Sequence, residues 1–247
     1  MAVTARIDLD ALRQNVAFIR SKAPQSRILG IVKANAYGHG LREVALALET
    51  EALAVARIDE GVMLRESGEL RPLVVLEGCQ QPREMQLAAK HDLQVVVHNM
   101  IQCSWFSAAR PVQTWLKVDT GMHRLGLDES NFRALAKAPR PGMQLVGLMS
   151  HLGFSGIESD ARTDAQVEAC ARACQGFDLP RSIANSGAVL SCPASQLDWV
   201  RPGILLYGIS PFAHQIPELK PVMTLSSRVI AVKRVRAGDT VGYGGRF

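Results

Sequence analysis

Ile28-Leu29-Gly30-Ile31-Val32-Lys33-Ala34-Asn35 is an apolar run with a polar continuation, and this combination indicates the fold class. The apolar run Ile28–Val32 has the length and content of a buried strand. In an open, doubly wound sheet, the first strand leads into a glycine-rich phosphate-binding turn. Here the strand leads into Lys33-Ala34-Asn35, which favours a parallel sheet of another kind.

Seven further short apolar runs follow, and amphipathic stretches separate most of them. Strand–helix alternation along a whole chain indicates βαβ units and a parallel sheet. Eight candidate strands favour closure into an α/β fold of the (β/α)₈ TIM-barrel type, whose usual length is about 250 residues; this chain has 247. The further predicted strands are Leu53–Ala56, Leu73–Leu76, Leu93–Val97, Val112–Val118, Leu145–Met149, Ser182–Ala184 and Ile204–Tyr207, the last expected to begin earlier, near Leu197–Val200. The predicted helices are Ala11–Ser21 with Asp10 as its N-cap, Leu41–Glu49, Glu60–Ser67, Pro82–Lys90, Met100–Ala109, Asn131–Lys137, Asp160–Cys174 and a weak Ser186–Leu190.

The composition is that of an ordinary globular protein. Hydrophobic residues make up 47% of the chain, and 28 Lys and Arg against 23 Asp and Glu give a net charge of +5. Because this charge is spread out rather than concentrated in a basic stripe, no nucleic-acid partner is expected. No apolar stretch reaches the roughly 20 residues of a membrane span. The start lacks a signal-peptide pattern, so we expect a cytoplasmic protein with no membrane partner.

The five cysteines are scattered and odd in number, whereas disulfide frameworks belong to small secreted chains. Cys170 and Cys174 lie four residues apart, which could begin a metal site. No second Cys or His pair with fitting spacing follows. We therefore expect buried free thiols and no metal, since cysteine is among the most often buried residues.

Reactive side chains stand where the predicted strands end, which is where a (β/α)₈ barrel carries its functional residues. A partly desolvated lysine in such a place has a lowered amine pKa and can form a Schiff base with an aldehyde. A solvated lysine at a strand end is the plain alternative for Lys33. The residues at these ends are Lys33, Glu77, His98, Lys117, Asp119, His151, Asn185 and Ser186.

The pattern changes after Tyr207. Pro217–Met223 has the composition of a loop, and Thr224–Val235 alternates apolar and polar residues like a strand, with a turn at Ala237-Gly238-Asp239. A lone hairpin is only marginally stable. The segment therefore predicts the first strands of an incomplete β domain.

Four blocks of the sequence are highly specific. They read VKANAYGHG (32–40), WLKVDTGMHRLG (115–126), NSG (185–187) and DWVRPGILLYG (198–208). These blocks resemble the bacterial alanine racemases, pyridoxal-phosphate enzymes of fold type III, and the resemblance spans nearly the whole chain. It implies a barrel over residues 1–216, the start of a C-terminal β domain over 217–247, and interconversion of L- and D-alanine, which supplies D-alanine for peptidoglycan.

The resemblance also implies roles for particular residues at the cofactor. Lys33 matches the Schiff-base lysine, which then acts as a base on one face of the substrate. Tyr37, Ser186 and the backbone N–H groups around Gly203 and Ile204 match the ligands of the cofactor phosphate.

Arg201 matches the arginine that hydrogen-bonds the pyridine nitrogen. Because arginine keeps its proton, that nitrogen should stay unprotonated, which favours racemisation over transamination. His151 matches the partner that orients this arginine, and Arg124 matches the arginine near the phenolic oxygen and the substrate carboxylate. Lys117 matches a lysine that is carbamylated in many members, and Asn185 matches a neighbouring polar residue without an assigned role.

Two features depart from the family. Racemisation needs a second base on the opposite face of the substrate. In the family this base is a tyrosine of the C-terminal domain of the opposite subunit in a homodimer, and no position of this chain matches it. We therefore expect impaired turnover, whether the chain is a fragment or a barrel-only form. The loop SHLGFS (150–155) also differs from the family's Ser-His-Phe-Ala followed by acidic residues.

One alternative function stays open at this point. Barrel-only pyridoxal-phosphate homeostasis proteins of the same fold type bind the cofactor without racemase activity. The substrate is open as well, because racemases for lysine or serine share the barrel motifs.

Overall fold

A computed structural model describes residues 3–246. Its centre is a closed barrel of eight parallel strands arranged in chain order, β2 to β9, and the last strand pairs with the first through Arg27 and Trp199. The predicted (β/α)₈ barrel is thereby confirmed. The strands are β1 (Thr4–Ile7), β2 (Arg27–Ile31), β3 (Ala52–Val55), β4 (Leu73–Val75), β5 (Gln94–Val97), β6 (Val112–Lys117), β7 (Met143–Met149), β8 (Arg181–Ser182), β9 (Trp199–Val200) and β10 (Met223–Ser226).

Helices follow the barrel strands. Among residues 3–246, no helix is both long enough and apolar enough to cross a membrane. A helical turn, Lys33–Tyr37, follows β2, and short 3₁₀ segments lie at Pro193–Ser195, Ile204–Tyr207 and Tyr243–Gly245. The α-helices are α1 (Leu9–Lys22), α2 (Leu41–Ala47), α3 (Ile58–Glu66), α4 (Pro82–Lys90), α5 (Met100–Cys103), α6 (Glu129–Lys137), α7 (Ala161–Cys174) and α8 (Ser186–Ser191).

Both faces of the barrel strands are buried, which explains why the strands read as unbroken apolar runs rather than as alternating ones. In β2, Leu29 and Ile31 join the cluster inside the barrel, whereas Ile28 and the following Val32 join the larger cluster between the strands and the helices. Because apolar side chains fill both the inside of the barrel and the space between strands and helices, the polar residues lie just beyond the strands, at the open end of the barrel.

Ile204–Tyr207 is a 3₁₀ helix, so the prediction of a strand there is wrong. The eighth barrel strand is β9, inside the earlier position Leu197–Val200. Leu205, Leu206 and Tyr207 are buried in the helix, and an apolar run alone does not distinguish a buried strand from a buried helix.

The C-terminal segment forms one strand, not the long strand predicted over Thr224–Val235. β10 pairs antiparallel with β1 from the other end of the chain, and the pair forms a two-stranded sheet beside the barrel. Beyond Ser226 the alternating pattern leaves Val229, Ile230 and Val232 exposed. A period of two produces a strand only where a neighbouring strand supplies the hydrogen bonds, and residues 3–246 supply none there.

Several helix ends differ from the prediction by one or more residues, and two of them have a clear local cause. Asp8, not Asp10, is the N-cap of α1, because its Oδ1 accepts hydrogen bonds from the N–H groups of Asp10 and Ala11. The predicted helix Met100–Ala109 ends at Cys103. Just past it, Ser104 donates its hydroxyl to a backbone carbonyl, a local bond that competes with helical pairing.

Candidate active site

The C-terminal ends of the strands surround a cavity of about 940 Å³. The predicted site residues follow five different strands, yet the fold brings all of them to this cavity. The predicted residues on its wall are Lys33, Tyr37, Lys117, Arg124, His151, Asn185, Ser186, Arg201, Gly203 and Ile204.

Lys33 opens a left-handed turn. Ala34, Asn35, Ala36 and Tyr37 all have φ of 53° or 54°. This conformation costs a residue with a Cβ roughly 1–2 kcal/mol. The turn brings Lys33 and Tyr37, four residues apart, to the same cavity.

Three side chains brace the turn. His39 Nδ1 lies 3.0 Å from the carbonyl oxygen of Ala36. Asn35 Oδ1 accepts a hydrogen bond from the N–H of Leu41 at 2.8 Å, and Glu60 Oε1 accepts one from the N–H of Asn35 at 3.3 Å. These bonds offset part of the conformational cost and fix the direction in which the turn leaves the strand.

Burial lowers the pKa of the Lys33 amine, and the positive charge of Arg124 lowers it further, against opposing effects of Glu77 and Glu60. A lowered pKa increases the share of neutral amine. The neutral amine is the form that attacks an aldehyde carbon.

Lys117 ends β6 and is only 7% exposed. Burial, followed by the charges of Arg201 and Arg124, lowers its pKa to about 8. Its Nζ makes no hydrogen bond within the described part of the chain, residues 3–246. The lowered pKa increases the share of neutral amine, and the Nζ is open to reaction or to contact with an anion.

Asp119 organises the loop that carries Arg124. Its Oδ1 accepts hydrogen bonds from the N–H groups of Gly121 at 2.9 Å and His123 at 3.1 Å. Burial alone would raise the pKa of Asp119, but these bonds hold it below its usual value. A Cβ on Gly126, whose φ is 151°, would lie 2.5 Å from the Asp119 nitrogen, so the loop closes tightly on itself.

Arg201 is 4% exposed and makes no ion pair with the carboxylates of residues 3–246. Its Nη2 donates to the carbonyl oxygen of Ser150 at 2.5 Å and lies 3.2 Å from His151 Nδ1. Burial and the charge of Arg201 hold the pKa of His151 well below its usual range. His151 is therefore neutral, and its Nδ1 accepts from the guanidinium.

Ser186, Gly203, Ile204 and Tyr37 form one end of the cavity. Ser186 Oγ accepts hydrogen bonds from the N–H groups of Gly203 at 2.9 Å and Leu205 at 3.4 Å, which leaves its own proton to donate. The N–H of Ile204 has no acceptor within residues 3–246. A Cβ on Gly203 would lie 2.6 Å from the Tyr37 hydroxyl oxygen, so only glycine admits this approach. Donors without acceptors at one place fit an anion such as a phosphate.

Asn185 joins two segments of the cavity wall. Its Oδ1 accepts from the Ser155 hydroxyl at 2.6 Å and from the N–H of Ala188, and its Nδ2 donates to the carbonyl oxygen of Leu152 at 3.0 Å. The altered loop after His151 is thus fastened to the N-terminal end of α8. These hydrogen bonds fix the position of Asn185 on the cavity wall, and its predicted place among the cofactor-binding residues stays a prediction.

The opposite wall contains residues that the sequence motifs do not assign. Glu77 and His98 stand at strand ends, as expected, but Gln102 on α5 gives no signal in the sequence. Its Oε1 accepts from the N–H of His98 at 2.9 Å, and its Nε2 donates to the carbonyl oxygen of Cys79 at 2.9 Å. Only a fold that brings α5 under these strand ends makes Gln102 part of the wall.

Thiols and metal-ligating groups do not add to this site. All five cysteines are buried and free, as predicted. Cys170 and Cys174 lie on α7. Among residues 3–246, no three His, Cys, Asp or Glu side chains are grouped so as to hold a metal ion.

The cavity residues lie within a stretch that matches a known family. The profile of the alanine racemase N-terminal domain matches residues 7–211. The chain belongs to the alanine racemase family. The alanine racemase of Thioalkalivibrio sulfidiphilus is 45% identical to it, and the match covers 100% of this chain and 72% of that protein.

Solved alanine racemases share its fold. The biosynthetic alanine racemase of Pseudomonas aeruginosa superposes with a TM-score of 0.91 at 39% identity, covering 99% of this chain and 71% of that one. The alanine racemase of Bartonella henselae, a structure with covalently bound pyridoxal phosphate, gives a TM-score of 0.89 at 27% identity, covering 100% and 72%.

Proposed function

We propose that the chain is the barrel part of an enzyme that interconverts L- and D-alanine with pyridoxal 5′-phosphate. The carrying observation is that Lys33, with its lowered amine pKa, shares one cavity with an anion-binding end and with a buried guanidinium that has no carboxylate partner. The relatives named alanine racemase support the reaction.

The donor set of the cavity fits this cofactor. The Tyr37 hydroxyl, the Ser186 hydroxyl and the free N–H of Ile204 would hold its phosphate, and the bare α-carbon of Gly203 leaves room beside Tyr37. Arg201 would donate to its ring nitrogen. When bound, pyridoxal phosphate supplies an aldehyde carbon that joins the substrate amine and withdraws electrons from the α-carbon.

Arg201 and His151 act together in this proposal. The guanidinium keeps its proton, because its pKa of about 10, lowered by burial, is still well above neutrality. Neutral His151 accepts from it and cannot supply a competing proton. Because neither residue would give up a proton, Arg201 and His151 would keep the ring nitrogen of the cofactor unprotonated, which would limit electron withdrawal and disfavour transamination.

Lys33 is the proposed Schiff-base residue and the base for one enantiomer of alanine. Arg124, on its closed loop, would bind the substrate carboxylate. Lys117, with its pKa of about 8, is a proposed site of carbamylation, because an anion there would relieve the repulsion among Lys117, Arg124 and Arg201.

The remaining proposals concern the assembly. We place the boundary of the barrel at residue 216, with 217–247 as the start of a β domain, and we propose a cytoplasmic homodimer in which a second subunit supplies the second base. D-alanine made by such an enzyme would serve cell-wall synthesis.

Titration of the purified chain with pyridoxal phosphate tests the proposal. We expect a visible absorption band that Lys33→Ala abolishes and that Lys90→Ala, at an exposed lysine of α4, retains. A folded wild-type chain that gives no band refutes the cofactor assignment. In deuterated water, we expect the loaded chain to exchange the α-proton of one alanine enantiomer faster than that of the other; equal rates would refute the role of Lys33 as a base on one face.

A further inference from the structure

Arg201 is held by four acceptors, and none of them is charged. Nη1 donates to Ser182 Oγ at 2.5 Å, and Nη2 donates to the carbonyl oxygens of Ser150 at 2.5 Å and Ile183 at 3.4 Å and faces His151 Nδ1 at 3.2 Å. The two carbonyls belong to the backbone. Ser182 and His151 are therefore the side chains that fix the guanidinium plane.

The Ser182 hydroxyl is oriented for this contact. Ser182 is fully buried at the end of β8 and donates its proton to the carbonyl oxygen of Trp199 on β9 at 2.7 Å. Because its one proton points at Trp199, its lone pairs are left for Nη1 of Arg201. The same hydroxyl thus connects two barrel strands and the guanidinium.

One donor of Arg201 has no partner within residues 3–246. Both Nη atoms are engaged, whereas the Nε–H donates to no protein acceptor, and the side chain lines the cavity. We propose that Ser182 is a positioning residue that fixes the guanidinium plane, so that the Nε–H of Arg201 is presented to the cavity. The acceptor of this Nε–H would be the pyridine nitrogen of the cofactor, and in that respect the inference rests on the proposed function.

The choice of a hydroxyl has a chemical consequence. A carboxylate in the place of Ser182 would neutralise Arg201 and draw its protons away from the cavity. A hydroxyl fixes the plane and leaves the positive charge uncompensated. The arrangement is therefore suited to holding an unprotonated ring nitrogen. A nearby positive charge makes protonation of that nitrogen unfavourable.

Side-chain N–H spectra of isotope-labelled chain test the positioning without any cofactor. The Arg201 signals are identified by their loss in Arg201→Lys. We expect resolved Nη1–H signals in the wild type, because the hydrogen bond to Ser182 slows rotation and exchange, and their collapse in Ser182→Ala. Ser195→Ala is the matched control, since Ser195 is equally buried and donates to the Cys192 carbonyl at 2.7 Å away from the cavity.

The dissociation constant of pyridoxal phosphate provides the second measurement. We expect it to rise about tenfold in Ser182→Ala and to stay unchanged in Ser195→Ala. Ser182→Cys keeps the shape but is a poor acceptor, so it gives the same result and replaces the alanine variant if that fails to fold. Wild-type Arg201 signals or wild-type affinity in either variant would overturn the inference. A wild-type chain that binds no cofactor would refute the proposed function, while the spectra still decide the role of Ser182.

Discussion

Substitution of Ala34 by glycine should stabilise the protein, although alanine-to-glycine changes normally destabilise helices. Ala34 has φ 54° and ψ 54°, is exposed, and belongs to the left-handed turn that carries Lys33. Relief of the left-handed conformation is worth about 1–2 kcal/mol. The greater freedom of glycine in the unfolded chain takes back about 0.5–1 kcal/mol. The expected net gain is about 0.5–1 kcal/mol.

The matched control is Ala134→Gly, at an exposed position inside the right-handed helix α6, where the same change should cost about 1 kcal/mol. Urea unfolding of both variants and the wild type measures the free energies of unfolding. The two variants should therefore fall on opposite sides of the wild type. Equal destabilisation by both changes would contradict the left-handed turn.

Three further predictions concern the cavity and the barrel. Gly203→Ala should weaken pyridoxal phosphate binding at least tenfold, because its Cβ would lie 2.6 Å from the Tyr37 hydroxyl. Gly153→Ala is the control and should not weaken binding, since its Cβ would have no neighbour closer than 3.4 Å. Equal dissociation constants for the two variants would refute the phosphate site. The free, uncarbamylated amine of Lys117 has a pKa of about 8 against 10.5 when unfolded, so the unfolded chain binds more protons between these values. The free energy of unfolding should therefore rise with pH by about 3 kcal/mol in urea titrations. This rise should be absent from Lys117→Met, and an equal rise in that variant would contradict the burial of the amine. Burial alone would raise the pKa of Glu69, but the hydrogen bonds from Arg71 hold it below its usual value. The free energy of unfolding of Glu69→Gln should therefore lie below that of the wild type near neutral pH, and the difference should shrink as pH falls through the lowered pKa. A difference that stays constant with pH would contradict the pairing of Glu69 with Arg71.

Much of the barrel could be predicted from local pattern. The strands are buried on both faces, so each reads as an apolar run, and the chain order of the strands is also their order in the barrel. Residues at strand ends meet at one end of such a barrel. This is why the sequence alone predicts that residues as far apart as Lys33, Lys117 and Arg201 line one cavity.

Features set by non-local contacts could not be predicted in this way. The pairing of Thr4 with Ser226 joins the two ends of the chain. Nothing in the sequence of either segment indicates that the other is its pairing partner. The left-handed turn contradicts local preference, because alanine and tyrosine disfavour positive φ, and it depends on bracing by His39 and the distant Glu60.

The same limit applies within the site. Ser182 was recognisable as part of a predicted strand, but its contact with Arg201 depends on the pairing of β8 with β9. Gln102 likewise becomes part of the cavity only through the placement of α5. The motifs identify residues that line the cavity, whereas the residues that hold them in place are recognised only from the packing of the fold.

Borohydride reduction of the chain loaded with pyridoxal phosphate, followed by peptide mapping, shows whether Lys33 carries the cofactor. Reduction converts an imine between the cofactor and a lysine into a stable secondary amine that marks the lysine. We expect one pyridoxyl group per chain, on the peptide that contains Lys33. A label on Lys117 or on surface lysines, with Lys33 unmodified, would contradict it.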